Sequence, residues 1–173
     1  FKGRRYEPIP ASQIFPYDTT TGFPGCGGAT PRPYVKNARD CPLDDTVAYD
    51  IEGLFPEQYN DFGNFAVAMI LAHEWGHAIQ ERADGLERAQ AAGIPSIVLE
   101  TQADCFAGTW ARRVNDRKSK TLLPEPGDLD AGKRRQGGVQ GTAQCLGAIV
   151  GQPQEPLDLR EQPVLGLVAD QVG

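Results

Sequence analysis

The sequence predicts an α+β domain with a small sheet, two long helices and a loop-rich N-terminal arm. Three observations carry this. Residues 46–51 (Thr-Val-Ala-Tyr-Asp-Ile) alternate β-branched and aromatic side chains between Pro42 and Gly53, the pattern of a short strand. Residues 61–82 and 96–114 place apolar side chains at three- and four-residue steps, the period of a helix face. Glycine and proline together supply 34 of the 173 residues, which surrounds a real core with a large share of loop.

Each element follows in chain order. Residues 1–39 are rich in Pro and Gly, with Gly25-Cys26-Gly27-Gly28 at the centre, and read as an extended arm. Within 61–82 the stripe is Phe62, Phe65, Met69, Ala72, His73, Gly76, His77 and Gln80. Asn60 or Asp61 would cap its start and Gly85 would stop it. Residues 65–72 are apolar almost throughout, so this helix should be buried on most sides. The second helix begins near Pro95-Ser96, where Pro suits an early position and Ser can cap. Its stripe is Ile97, Glu100, Asp104, Ala107, Ala111 and Val114. Beyond Lys118 the pattern weakens: Pro124-Glu125-Pro126-Gly127 breaks the chain, and only 143–150 and 164–168 look able to join a core. The expected organisation is one domain over 1–173, with an arm (1–39), a catalytic core (40–118) and a weakly patterned tail (119–173) that fits a trimmed or divergent end.

A net charge of −6 argues against a nucleic-acid partner, which needs clustered Lys and Arg. The short basic patches at 2–5 and 133–135 read as solvated loop charge. No apolar run reaches the roughly 18 residues of a membrane span. Phe1 is not an initiator Met, so the chain reads as processed or trimmed, with a removed leader or lipid anchor compatible with it. The four cysteines, Cys26, Cys41, Cys105 and Cys145, form no CxxC pair, which argues against a Cys-type zinc site. Cys26 and Cys41 flank a segment with little core of its own, where a cross-link helps most. That bridge would imply an oxidising, extracytoplasmic location and leave Cys105 with Cys145, although Cys105 in its helix also fits a buried free thiol; sequence alone permits three connectivities.

The chemistry is concentrated in His73-Glu74-Trp75-Gly76-His77, an HExxH motif. Residues four apart on a helix project from one face, so both imidazoles can reach one ion. Glu74 points to the side, toward water at the metal, and fits a general base. A chance HExxH is expected in fewer than about one chain in a hundred of this length. Here both of the chain's histidines lie in the motif, in register on a helical stretch.

A catalytic zinc keeps three protein ligands and an open position. With no further His, the third ligand must be a carboxylate or, less plausibly, a Cys. Glu100 lies on the second helix, far enough from His77 for a turn and an antiparallel return. Asp104, one turn later on the same face, would accept the outer ring N–H of a ligating His. The bland reading of these two acids is a solvated face. Glu81, Asp84 and Glu87 are rival ligands, but they follow His77 closely or lie in the connecting turn.

The blocks Leu71-Ala72-His73-Glu74-Trp75-Gly76-His77-Ala78-Ile79-Gln80 and Gln102-Ala103-Asp104-Cys105-Phe106-Ala107-Gly108-Thr109-Trp110 resemble the two hallmark segments of the bacterial putative neutral zinc metallopeptidases. Cys41-Pro42, Asp44-Asp45 and the strand through Tyr49-Asp50 resemble the segment ahead of the active-site helix in that family. The resemblance spans about residues 23–115. It implies a zincin-like fold, one catalytic zinc ion, an ExxxD arrangement met by Glu100 and Asp104, and a secreted or envelope location in bacteria. Residues 128–173 carry nothing that matches.

The expected activity is zinc-dependent hydrolysis of peptide bonds in a peptide or protein substrate. Two alternatives stand beside it: an inactive zincin-fold secreted binding or scaffold protein, and a zinc hydrolase acting on a non-peptide amide. Zincins commonly place a His, Tyr or Arg transition-state donor after the third ligand, and no His or Tyr follows His77 here. Arg112 and Arg113 are available but fit helix-end charge better. The strand at 46–51, if it lay at a sheet edge beside the cleft, could pair with an extended peptide. Trp75 and Trp110 read as packing residues.

Overall fold

Val47, Ala48 and Tyr49 form the centre of a three-stranded sheet because their alternating side chains find cover on both faces. In the computed structural model, which describes residues 7–83 and 85–115, the order is β1 (Ile14–Tyr17), β3 (Thr46–Asp50), β2 (Ala38–Cys41). β1 runs parallel to β3 with Ile14 opposite Val47, and β2 runs antiparallel with Ala38 opposite Tyr49. Val47 and Tyr49 join Ala38 in the core built with the first long helix, while Ala48 packs with Tyr17 and Phe23 on the other face. The segment read as an arm thus supplies β1 and the start of β2. Each has only four residues, β1 contains Pro16 and β2 reads Ala-Arg-Asp-Cys, so neither shows a strand period. The Cys26–Cys41 disulfide fastens the glycine-rich loop to the end of β2.

The helix expected over 61–82 is two helices. α1 (Leu54–Phe62) contains Asp61 and Phe62, and α2 (Asn64–Arg82) begins after Gly63. Gly63 adopts φ 81° and ψ 178°, a backbone state open to glycine and closed to most side chains. Neither Asn60 nor Asp61 caps α2; its N-cap is Gly63, with no side-chain cap. The start of α1 is fixed by Asp50, a fully buried carboxylate that accepts the N–H groups of Glu52, Gly53 and Leu54 and the Tyr34 hydroxyl. Four donors hold its pKa below the usual carboxylate range although burial pushes the other way.

α2 is buried nearly all round, as its composition predicts: Val67, Ile70, Leu71, Trp75 and Ala78 meet the sheet, while Phe65, Met69 and Ala72 meet α4 (Ser96–Asn115). Gly85 opens the short α3 (Gly85–Ala91) rather than stopping α2, which ends at Arg82. α4 starts at Ser96 as expected. Its buried stripe is Ala103, Ala107, Ala111 and Val114; Ile97 is 67% exposed, because the first turn of α4 extends beyond the cover of the core. Trp75 is buried in the core and Trp110 stacks on Phe65 at 5.8 Å, packing roles in both cases. Among the described residues no helix is long and apolar enough to cross a membrane. The tail at 119–173 with Cys145, the basic patches at 2–5 and 133–135, and Asp84 lie outside the described residues.

Candidate metal centre

His73 and His77 stand one turn apart on α2 with ring centroids 4.8 Å apart and planes at 87°. The hydrogen bonds behind the rings decide which nitrogen faces forward. His73 Nδ1 lies 2.7 Å from Asp104 Oδ1, and a carboxylate only accepts, so this nitrogen carries the proton. His77 Nδ1 lies 2.9 Å from Gln80 Oε1. The Gln80 amide nitrogen donates to Leu99 O and Gln102 Oε1, which leaves its oxygen as the acceptor for His77. Both Nε2 lone pairs therefore point inward, 3.2 Å apart. Glu100 Oε2 completes the triangle at 3.2 Å from His73 Nε2 and 3.4 Å from His77 Nε2.

Three electron-rich atoms at these distances repel one another unless a cation or a proton lies between them. A tetrahedral ion with ligands at about 2.0–2.1 Å would separate them by about 3.3–3.4 Å. The observed edges of 3.2–3.4 Å fit that requirement, and two imidazoles with one carboxylate form a donor set suited to zinc. Burial pushes the His73 imidazolium down, but the Asp104 hydrogen bond and the charges of Glu74, Asp104 and Glu100 outweigh it, so the ring attracts positive charge. The other close donor group among the described residues, Cys26, Cys41 and Asp44, has both sulfurs tied in the disulfide.

Glu74 follows the first histidine and is 8% exposed. Its Oε2 accepts the Asp40 N–H at 2.8 Å, which ties the carboxylate to β2. Burial pushes its pKa up, against the pull of His73, the Asp40 amide and His77. A cleft of about 390 Å³ opens over these groups, lined by Asp40, His73, Glu74, His77, Leu86 and Glu100 among others.

Gly76 sets the approach of α4. A Cβ there would lie 2.7 Å from Ala103 Cα and 2.8 Å from its carbonyl oxygen, so only glycine lets the two helices come this close. Two supporting residues carried little sequence signal. Gln80 was visible only as one more position on the helix face, and its burial at 2% marks it as a polar group with a task. Asp40 contributes through its backbone, which no side-chain pattern reveals. The strand at 46–51 is the central β3, hydrogen-bonded on both sides, and cannot take up a peptide. β2 is the edge strand beside the cleft, lined there by residues 37–40.

Of the rival ligands, neither Glu81 nor Glu87 belongs to the His73, His77 and Glu100 group, and Glu87 is exposed on α3. Arg112 and Arg113 lie in the last turn of α4.

This assembly agrees with a family comparison. The chain matches the profile described as putative neutral zinc metallopeptidase over residues 17–132. It belongs to that family. The family match extends the recognisable region beyond residues 23–115 in both directions. Among curated relatives, the uncharacterized protein Rv2575 of Mycobacterium tuberculosis is 38% identical over 98 residues, covering 50% of this chain and 31% of the relative. The uncharacterized protein YpfJ of Escherichia coli is 32% identical over 120 residues, covering 61% of this chain and 38% of the relative. The chain thus spans about a third of the length of the relatives it matches. No solved structure matches it significantly.

Proposed function

We propose that this chain is a single metallopeptidase domain of zincin-like fold that hydrolyses peptide bonds at one zinc ion held by His73, His77 and Glu100. The observation that carries the reading is the triangle of inward lone pairs, with each Nδ1 already occupied by Asp104 or Gln80. When bound, zinc supplies Lewis acidity that lowers the pKa of water and polarises a carbonyl. Asp104 and Gln80 fix the ring orientations and make the imidazoles better donors. Glu74, held by the Asp40 amide and raised by burial, takes the proton of the attacking water and returns it to the departing amine nitrogen.

A peptide substrate is supported by the position of β2, an edge strand along the cleft wall that offers main-chain hydrogen bonds to an extended chain. An extracytoplasmic location is supported by the Cys26–Cys41 disulfide, since such bonds persist in oxidising compartments. The test is a Glu74→Gln variant compared with wild type for zinc content and for cleavage of an unfolded protein. Zinc should be retained and turnover should fall by about 10²–10⁴-fold. Equal turnover in the variant removes Glu74 from its role, and stoichiometric zinc without cleavage by the wild type favours a binding protein.

A further inference from the structure

The first two turns of α4 have little cover. Ala103, Cys105, Ala107, Ala111 and Val114 are buried, whereas no residue from Ser96 to Gln102 is. Glu100 stands in that open stretch, just before the point where Ala103 meets Gly76. A ligand outside the packed interface needs another hold on its backbone.

That hold comes from α2. The two helices run antiparallel, since His73 meets Asp104, Gly76 meets Ala103, and Gln80 meets Gln102 and Leu99. The Gln80 contacts therefore fall on either side of Glu100. Gln80 is 2% exposed, and both ends of its amide are engaged. Its oxygen accepts from His77 Nδ1 at 2.9 Å, and its nitrogen donates at 2.7 Å to both the Leu99 carbonyl and Gln102 Oε1. The Leu99 oxygen can only accept, which turns the amide nitrogen toward α4 and its oxygen toward His77. A glutamate at this position could not donate to α4, and a lysine could not accept from the ring. Leaving either side unmade would strand a buried polar group.

We infer that Gln80, completed by Gln102, is a positioning residue for Glu100 as well as for His77. Its two N–H groups clamp α4 on either side of Glu100, while its oxygen turns the His77 ring, so one side chain sets two ligands together. The Glu100 side chain keeps its own freedom; what the clamp fixes is the backbone beneath it. This role rests on the zinc centre proposed above.

The test compares zinc affinity of the wild-type 173-residue chain with that of Gln80→Glu, Gln102→Leu and Gln102→Glu, by competition with a chromophoric chelator. Gln80→Glu keeps an acceptor behind His77 and removes both donors toward α4. Its zinc affinity should fall by about 10–100-fold. In the zinc-free protein, amide hydrogen exchange at residues 100–103 should rise by about tenfold, with β3 and the centre of α2 unchanged. Unchanged or tighter zinc binding overturns the inference, because a carboxylate behind His77 by itself makes the ring a better donor. Gln102→Leu removes one bond on the α4 side and leaves the His77 contact in place, so affinity and exchange should move the same way by about fivefold. Gln102→Glu keeps the acceptor and should match wild type in both. These two variants decide the matter if Gln80→Glu does not fold: no effect of Gln102→Leu, or equal effects of both, overturns the clamp. A wild type that binds no zinc removes the zinc reading instead, and exchange in the zinc-free protein then judges the clamp by itself.

Discussion

The two helices that meet at the proposed metal centre are built differently. α2 is enclosed by the sheet on one side and α4 on the other, and the side chains of His73 and His77 are only 18% and 17% exposed. Among the described elements α4 packs chiefly on α2, the residues of its first turn are mostly exposed, and the Glu100 side chain is 52% exposed. The histidines are therefore fixed by packing, whereas the more exposed glutamate is less constrained. A centre made this way has a preorganised half and an adjustable half.

Removing ligands from each half tests the contrast most strongly. His73→Ala or His77→Ala should weaken zinc binding by more than about 100-fold, a larger loss than supporting residues produce. Glu100→Ala should lose less, because two fixed imidazoles remain; competition with a chromophoric chelator measures all three. Equal losses would erase the distinction. Next in size is Gly76→Ala, whose Cβ meets the backbone of Ala103. It should destabilise the fold by about 3 kcal/mol and push α4 outward, read by denaturant unfolding together with zinc affinity. A variant with unchanged zinc affinity would show that the spacing of the helices is not what delivers Glu100.

Asp104→Asn keeps the shape and removes the charge behind His73. Zinc affinity should fall by about 10–100-fold while stability changes little. The smallest effect concerns Asp40. Burial, with the charges of Glu81 and Glu74, pushes its carboxyl up to about 7 against the pull of Arg82. In the unfolded chain it titrates near about 3.9. The folded state thus holds this proton more tightly, so the stabilising contribution is full below about pH 4 and is lost as pH rises through about 7. Asp40→Asn should flatten that dependence and make the zinc-free protein more stable by about 1–2 kcal/mol at pH 8, measured from unfolding midpoints across pH. A midpoint that shifts equally at pH 4 and pH 8 would show that Asp40 does not carry the dependence.

Legibility followed the same division. His73, Glu74 and His77 could be read because a helix turns spacing into direction, and their apolar surroundings announce the buried helix that carries them. Glu100 and Asp104 could be read as a pair because acids one turn apart on an apolar stripe are conspicuous. Ile97 was misplaced for a related reason: its period matches the stripe, but period says nothing about where the covering helix ends. β1 and β2 escaped because four-residue strands are too short to display alternation, and Gly63 broke a pattern that ran smoothly through it.

Sequence by itself determined the local chemical groups: two imidazoles and an adjacent carboxylate on one buried helix, with two further acids on the next. Tertiary structure alone decided that β2 is the edge strand beside the cleft, that its Asp40 amide holds Glu74, and that Gln80 orients His77. Those roles depend on which backbone atoms meet across long stretches of chain, and a backbone amide looks the same at every position of a sequence until the fold gives it a neighbour.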